Sequence, residues 1–268
     1  MSKIYSQICS KIYSKILVYY DLLLLLPKFR QIYLNNKKIK EYSIQNLVDE
    51  LQKLSNCYSD FLELIEPCEL DDDFNNIFKV ASMEIGNHKS RCYILYQFLL
   101  HVRNLGGDIA EVGVYRGRSA SIIALSSRKE KEIYIFDTFE GMPETNPDKD
   151  NFYRKGAFSD TSLDEVKQFL SLFSNVNIIQ GFFPDTAHII KEKKFAFVHI
   201  DVDIYQSVID SCNFFYNKLN QGAIMLFDDP GFKTCSGAKY AIEEFFSDKN
   251  ENIIFLPTGQ ALIIRSYS

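Results

Sequence analysis

Short apolar runs alternate with amphipathic stretches from residue 108 to residue 246. This alternation is typical of a doubly wound α/β fold, in which helices cover both faces of a parallel sheet. The apolar runs predict strands at residues 108–114, 132–136, 176–179, 195–200 and 223–227. The amphipathic stretches predict helices at residues 119–127, 162–173, 206–219 and 238–246.

Two further apolar runs, 252–256 and 261–264, predict an antiparallel hairpin at the end of the chain. They flank Pro257-Thr258-Gly259, and proline followed closely by glycine favours a tight turn. We therefore predict a Rossmann-like, mostly parallel seven-stranded sheet with a C-terminal antiparallel hairpin. This α/β domain would occupy residues 89–268.

The residues before 89 show helical rather than strand patterns. Ile4, Ile8, Ile12 and Ile16 recur every four residues with lysines between them, and residues 43–64 keep an apolar stripe of helical period. We therefore predict a helical N-terminal extension over residues 1–88. A further helix is predicted at 88–103, where Gly106-Gly107 would end it.

The apolar stretch near the N-terminus is a candidate for a membrane-spanning or membrane-binding segment. Residues 16–26 are nearly all apolar, but a span needs about 20 such residues, and Pro27 follows. The pattern favours a helix packed on the domain or on a partner subunit, and so a homo-oligomer. Reversible association with a membrane surface is the alternative.

Composition narrows the class of protein. The chain of 268 residues is 46% hydrophobic and carries a net charge of -5, which gives no reason to expect nucleic acid as a partner. Its six cysteines show no C-x-x-C pair. We therefore expect reduced thiols and a cytoplasmic protein.

Acidic residues follow two of the predicted strands. Asp201 and Asp203 end the run 195–200, and Asp228 and Asp229 end the run 222–227. In open α/β sheets, ligands bind in the crevice beyond the carboxyl ends of the strands. Carboxylates gathered there repel one another unless a cation holds them together. We predict a divalent metal at Asp201, Asp228 and Asp229.

We expect two residues near these acids to have supporting rather than catalytic roles. Asp203 is expected to support the metal ligands or to cap the helix near residue 206. His199 is expected to be a hydrogen-bonded histidine of the core rather than a general base.

The first strand runs into a glycine-containing loop that predicts a cofactor site. The loop lacks the G-x-G-x-x-G spacing of a dinucleotide cradle, yet the next strand ends in Asp137, where an acid can accept hydrogen bonds from a ribose. A ribose without a diphosphate cradle indicates S-adenosylmethionine. The candidate loop residues are Glu111, Gly113, Tyr115, Gly117 and Ser119.

Several stretches together resemble the TylF-like macrocin O-methyltransferase family, metal-dependent members of the class I S-adenosylmethionine methyltransferases. The resemblance runs from about residue 89 to the end of the chain. The stretches are Ala110-Glu-Val-Gly-Val-Tyr-Arg-Gly117, Phe136-Asp-Thr-Phe-Glu-Gly-Met-Pro143, Gly181-Phe-Phe-Pro-Asp-Thr186, His199-Ile-Asp-Val-Asp-Ile-Tyr205 and Asp228-Asp229.

The resemblance implies roles for individual residues. Asp137 would bind the ribose, and Gly181, Phe183 and Asp185 would border the adenine. Asp201, Asp228 and Asp229 would bind Mg²⁺, with Asp201 also acting as the catalytic base. The chain departs from the family at Arg118, where a second glycine is common, and at Gln206-Ser207-Val208, where Glu-Ser-Thr is common.

The implied activity is S-adenosylmethionine- and Mg²⁺-dependent O-methylation of a hydroxyl on a sugar or a glycosylated natural product. The loop 143–158 is expected to contact this small-molecule or glycoside acceptor as a mobile lid. One alternative is a metal-dependent nucleotide-sugar glycosyltransferase that uses Asp201-Val202-Asp203. Another is a non-catalytic cofactor-binding protein.

Overall fold

A seven-stranded sheet lies at the centre of the fold in the computed structural model, which describes residues 67–81 and 89–266. The predicted N-terminal helices at 4–16 and 43–64 lie outside these residues. In chain order the strands are β1 (Asp108–Val112), β2 (Ile133–Asp137), β3 (Val176–Gln180), β4 (Phe195–Ile200), β5 (Leu219–Phe227), β6 (Ile254–Phe255) and β7 (Ala261–Ile264).

The strand order is β3-β2-β1-β4-β5-β7-β6. Neighbouring strands from β3 to β5 run parallel, whereas β7 pairs antiparallel with both β5 and β6. The predicted mostly parallel sheet with a C-terminal antiparallel hairpin is therefore confirmed. The order reverses between β1 and β4, and the crevice beside such a reversal is where ligands bind in this class of fold.

Helices cover the sheet in the alternating order that the sequence predicts. The described helices are α1 (Pro67–Leu70), α2 (Asp72–Ala81), α3 (Lys89–His101), α4 (Arg118–Ser126), α5 (Leu163–Phe169), α6 (Tyr205–Phe215) and α7 (Ser236–Phe246). The predicted helix at 162–173 ends four residues early, and a 3-10 helix at Asp185–Ile190 was not predicted. A 3-10 segment this short has too few apolar positions to show a period.

Helices α1 and α2 belong to the same compact unit as the sheet. This unit begins at residue 66. Helix α2 packs against α3 and α4. Asp71 starts α2, because its carboxylate accepts a hydrogen bond of 2.8 Å from the backbone N–H of Phe74. No helix within residues 67–81 and 89–266 combines the length and the apolar character needed to span a membrane.

Strand β4 lies at the centre of the sheet. All six of its residues are buried, because β1 and β5 flank it and helices cover both faces. Below one face the ring of Phe215 stacks on Phe183 at 5.5 Å between centroids and meets Phe195 edge-on at 5.1 Å. These rings fix the segment around Phe183 against the sheet.

Glu251 ties the end of the α6 region to the last strand. Its buried carboxylate accepts hydrogen bonds from the Tyr216 hydroxyl (2.6 Å), the Ser266 hydroxyl (2.7 Å) and Arg265 Nη1 (2.7 Å). Burial raises the pKa of Glu251, but the hydrogen bonds from Tyr216 and Ser266 outweigh it and lower the pKa to about 2. The carboxylate is thus held ionised in the folded state.

Replacing Glu251 with Gln should lower the free energy of unfolding at pH 7 by about 2 kcal/mol, because charge-assisted hydrogen bonds are lost. Since the folded pKa lies below the ordinary value, the stabilisation is present above about pH 5 and disappears as the pH falls towards 2. Urea denaturation of both proteins between pH 7 and pH 3 measures this. Glu243→Gln, which removes an exposed carboxylate, is the control and should cost under about 0.5 kcal/mol. A difference between wild type and Glu251→Gln that does not shrink with falling pH would contradict the assignment.

Candidate active site

A cavity of about 500 Å³ opens at the carboxyl ends of β1, β2, β4 and β5. Nine of the residues predicted from sequence line it: Gly113, Tyr115, Ser119, Asp137, Gly181, Phe183, Asp201, Asp228 and Asp229. Three predicted cofactor residues do not line it: Glu111, Gly117 and Asp185. The topology thus gathers residues that are more than a hundred positions apart in the sequence.

Gly113 is required by the close approach of two strand ends. It has a φ of 88°, and a Cβ at this position would overlap the carbonyl oxygen of Asp201. The backbone N–H of Asp201 donates to the carbonyl oxygen of Val112 at 2.9 Å. The glycine therefore lets the loop 113–119, which we call the cofactor loop, lie directly against the carboxylate-bearing end of β4.

Gly117 acts in the turn rather than in the wall of the cavity. It adopts φ 80° immediately before α4, and an added Cβ would lie 3.3 Å from Val166 and Phe169 side chains. No side chain caps the start of α4. The amide groups of its first turn, next to Ser119, can therefore bind a negatively charged group.

Asp137 braces the cofactor loop. One carboxylate oxygen accepts hydrogen bonds from the backbone N–H groups of Val114 and Tyr115, both at 2.8 Å, and the other accepts one from Phe139 at 2.8 Å. The sequence predicted only a ribose contact for this acid. The structure shows that it also fixes the loop shape, while its side chain still lines the cavity.

Glu111 lies beneath the cavity instead of in its wall. It is fully buried, and its Oε1 contacts His199 Nδ1 at 2.9 Å, because the two residues are in register on neighbouring strands. Burial raises the pKa of Glu111, and the hydrogen bond from His199 opposes that rise. Direct contact between Glu111 and a cofactor stays a prediction, and its position instead fits an orienting role for His199.

His199 connects this buried acid to the carboxylates of the cavity. Its Nε2 lies 3.5 Å from Asp228 Oδ1, and the potential ligand atoms of His199, Asp201 and Asp228 lie within 4.8 Å of one another. The histidine is hydrogen-bonded and buried, as predicted, but it is also part of the carboxylate cluster. A carboxylate behind a histidine is a common arrangement next to a bound metal.

A second group of side chains joins the same cluster from the other side. Ligand atoms of Asp203, Asp229 and Cys235 lie within 4.8 Å of one another. The backbone N–H of Asp203 donates to Asp229 Oδ2 at 2.9 Å, and the Cys235 thiol donates to Asp203 Oδ1 at 3.3 Å. Asp203 has a φ of 59°, a costly conformation for a residue with a Cβ that is typical of functional sites.

Burial and the closeness of these acids to one another change their pKa values. Burial and the nearby Asp201 raise the pKa of Asp203 to about 7. Burial, followed by Asp203 and Asp201, raises the pKa of Asp229 well above its usual range, although Arg91 lowers it. Burial and the neighbouring carboxylates therefore both disfavour the ionised forms of these acids, and a bound cation would favour them.

The donor set fits a hard divalent cation. Asp201, Asp228 and Asp229 offer carboxylate oxygens from two adjacent strand ends, which are the ligands that Mg²⁺ prefers. Two of them, Asp201 and Asp228, already share a common point with His199. Asp229 instead groups with Asp203, so its place among the ligands stays a prediction.

Aromatic side chains form the outer wall of the cavity. Phe158 packs against Tyr115 and Tyr153, with ring centroids 5.6 and 5.2 Å apart. Burial and the nearby Asp203 raise the pKa of Tyr153 to about 12, so its hydroxyl stays protonated. Asp150 anchors the segment by accepting a hydrogen bond of 2.9 Å from the backbone N–H of Tyr205.

Sequence reasoning missed three residues of the site. Arg91 contacts both Asp228 and Asp229, Gln260 Nε2 donates to Asp228 Oδ1 at 2.6 Å, and Tyr153 lines the cavity. Arg91 and Gln260 lie 137 and 32 positions from Asp228, in a helix and a hairpin turn. Of the three, only Tyr153 lies in a segment, the loop 143–158, that the sequence predicted to contact a ligand.

The sheet order, the glycine loop and the carboxylates at the strand ends define the class I methyltransferase fold. Residues 85–255, more than half of the chain, match the family described as Macrocin-O-methyltransferase (TylF). The chain belongs to this family, as the resemblance of its motifs implied.

Individual relatives are more distant. The chain is 26% identical over 156 residues to demethyldecarbamoylnovobiocin O-methyltransferase of Streptomyces niveus. The aligned region covers 53% of this chain and 59% of the relative. It is 24% identical over 169 residues to 8-demethyl-8-(2,3-dimethoxy-alpha-L-rhamnosyl)-tetracenomycin-C 4'-O-methyltransferase of Streptomyces olivaceus, covering 56% and 65%. The chain thus spans less than two thirds of the length of each of these relatives.

The solved structure of CalS11, a calicheamicin methyltransferase, has the same fold. It superposes with a TM-score of 0.58 at 18% identity, covering 83% of this chain and 94% of that chain.

Replacing Asp137 with Ala should weaken binding of S-adenosylhomocysteine at least tenfold and lower the melting temperature, because three partly buried N–H groups lose their acceptor. Isothermal titration calorimetry and thermal unfolding measure the two effects. Asp164→Ala, which removes an exposed acid at the start of α5, is the control. Unchanged affinity in Asp137→Ala would remove this residue from the cofactor site.

Proposed function

We propose that the protein is an S-adenosylmethionine- and Mg²⁺-dependent O-methyltransferase acting on a hydroxyl of a sugar or a glycosylated natural product. One observation carries the proposal: the cofactor loop braced by Asp137 and the carboxylate cluster around Asp201 share one cavity in a chain of the TylF family. Both curated relatives are named as O-methyltransferases, and the name of the second includes a rhamnosyl group, which supports this acceptor class.

Methyl transfer from a sulfonium is an in-line displacement, so the protein must mainly align the acceptor oxygen and help it lose a proton. The first turn of α4 and Asp137 would hold the two ends of the methyl donor, its amino acid and its ribose. The aromatic wall formed by Tyr115, Tyr153 and Phe158 would pack on the acceptor and exclude water.

The carboxylate cluster would prepare the acceptor hydroxyl. Asp201, Asp228 and Asp229 would hold Mg²⁺, which when bound supplies positive charge that favours loss of the proton. We propose Asp201 as the group that accepts the proton, as the resemblance implied. Asp203 is a second candidate for this role because it reaches the same cavity and lies outside the proposed ligand set.

The glycosyltransferase alternative predicts a site built on Asp201 and Asp203 alone. It leaves the loop from Gly113 to Ser119 and the pair Asp228-Asp229 without a function, although both acids and every loop residue except Gly117 border the cavity. Family membership also speaks for methyl transfer. Assembly into a homo-oligomer and a cytoplasmic location stay proposals from the sequence.

Excess EDTA should abolish methyl transfer, and Mg²⁺ should restore it, because the carboxylates need a cation to bind and activate a hydroxyl. Release of S-adenosylhomocysteine across a panel of nucleotide sugars and glycosides provides the assay. Binding of S-adenosylhomocysteine in EDTA is the control for an intact cofactor site. Full activity in EDTA would contradict the metal-dependent mechanism.

Asp201→Asn should reduce kcat by about 10³-fold, the usual contribution of a positioned base, while cofactor affinity changes little. Asp203→Asn should cost less, since Asp203 is not proposed as a ligand. Steady-state kinetics of both variants measure the difference. A larger loss in Asp203→Asn than in Asp201→Asn would transfer the role of the base to Asp203.

A further inference from the structure

Arg91 brings a positive charge into the carboxylate cluster from outside the sheet. It lies in the first turn of α3, and its side chain is 15% exposed. Its Nη2 forms an ion pair with Asp228 Oδ2, lies 3.5 Å from Asp229 Oδ1 and donates to the Asp228 carbonyl oxygen at 3.1 Å. One guanidinium therefore bridges two of the three proposed metal ligands.

Every carboxylate oxygen of these two residues already faces a partner. Asp228 Oδ1 accepts from Gln260 Nε2 and lies near His199 Nε2, while Asp228 Oδ2 pairs with Arg91. Asp229 Oδ1 also pairs with Arg91, and its Oδ2 accepts from a backbone N–H. Each oxygen keeps a further lone pair, but a cation bound to Asp228 Oδ2 or Asp229 Oδ1 would lie beside the Arg91 guanidinium, and the two positive charges would repel each other.

Arg91 is the partner that is able to leave. Gln260 is fully buried and is held by Thr258 and the Arg91 carbonyl oxygen, and the donor to Asp229 Oδ2 is a backbone amide. The arginine side chain is long and lies at the cavity edge. Its guanidinium already lies 4.8 Å from the ring of Phe232, and this cation–π contact can hold the side chain when the ion pairs with the acids break.

We propose that Arg91 is a built-in counter-ion that occupies Asp228 and Asp229 when no divalent cation is bound, and that cation binding displaces it towards Phe232. The inference rests on the proposed cation site and deepens it. Arg91 keeps the acids assembled before the metal arrives, and it lowers the apparent metal affinity by competition. It is a positioning residue, since it acts through the ligands.

Arg91→Met tests this, because methionine keeps much of the apolar stem and removes the charge. The probe is Mn²⁺ alone, titrated into the full-length protein by calorimetry without methyl donor. We expect Mn²⁺ to bind Arg91→Met about tenfold more tightly than wild type, because no ion pair must be broken. Arg103→Met removes the same charge from an exposed position after α3 and should leave the affinity unchanged.

Thermal unfolding provides a readout that needs no turnover. In EDTA, Arg91→Met should melt below wild type, because the acids lose their counter-ion, and saturating Mn²⁺ should close most of this gap. Arg91→Lys keeps the charge but places it on a more compact and more strongly hydrated ammonium group. It should show an intermediate Mn²⁺ affinity, and it serves as the test if Arg91→Met does not fold.

The outcomes separate this inference from the proposed function. Equal or weaker Mn²⁺ binding in Arg91→Met, beside measurable binding by wild type, would overturn the competition by Arg91 alone. Absence of Mn²⁺ binding in both proteins would overturn the cation site and the competition with it. Binding by Arg91→Met but not by wild type would support the proposal in its strongest form.

Discussion

Repulsion among carboxylates at two neighbouring strand ends is the constraint around which the site is built. Asp201 and Asp203 follow β4, Asp228 and Asp229 follow β5, and these strands are paired in parallel. The fold cannot place them apart, because the carboxyl ends of parallel neighbours meet at one edge of the sheet. Burial, followed by the neighbouring carboxylates, raises the pKa values of Asp203 and Asp229.

The structure meets that repulsion with positive charge and hydrogen-bond donors from other parts of the chain. Arg91 arrives from α3, Gln260 from the hairpin turn, and His199 from within β4, where Glu111 orients it. Each of these side chains would be costly to bury without a partner, because a buried polar group loses its hydrogen bonds to water. Together they hold a dense group of acids beside the glycine-containing loop that Asp137 stabilises.

The sequence predicted the sheet well because strand burial leaves a direct trace. Five of the six buried residues of β4 are apolar, His199 being the exception, and the acids after them mark the end of the strand. The hairpin was predictable because Pro257-Thr258-Gly259 favours a tight turn between two apolar runs. Helix ends were less accurate, since α5 stops at Phe169 although apolar residues continue to Phe173.

The site was predicted less completely, because side-chain contacts depend on pairs that sequence spacing does not connect. Glu111 was expected in the cofactor loop, yet strand register sets it opposite His199, beneath the cavity. Arg91 lies in a helix whose pattern gives no sign of a charge aimed inward. The carboxylates themselves were found because strand ends, unlike helix faces, have a fixed position relative to the crevice.

A crystal structure of the protein soaked with Mn²⁺ and S-adenosylhomocysteine would test the central claim most directly. The account predicts an anomalous difference peak within about 2.5 Å of carboxylate oxygens of Asp201 and Asp228, with the Arg91 guanidinium moved from those acids. The same crystals with the guanidinium still bridging Asp228 and Asp229, and no peak among the carboxylates at saturating Mn²⁺, would contradict it.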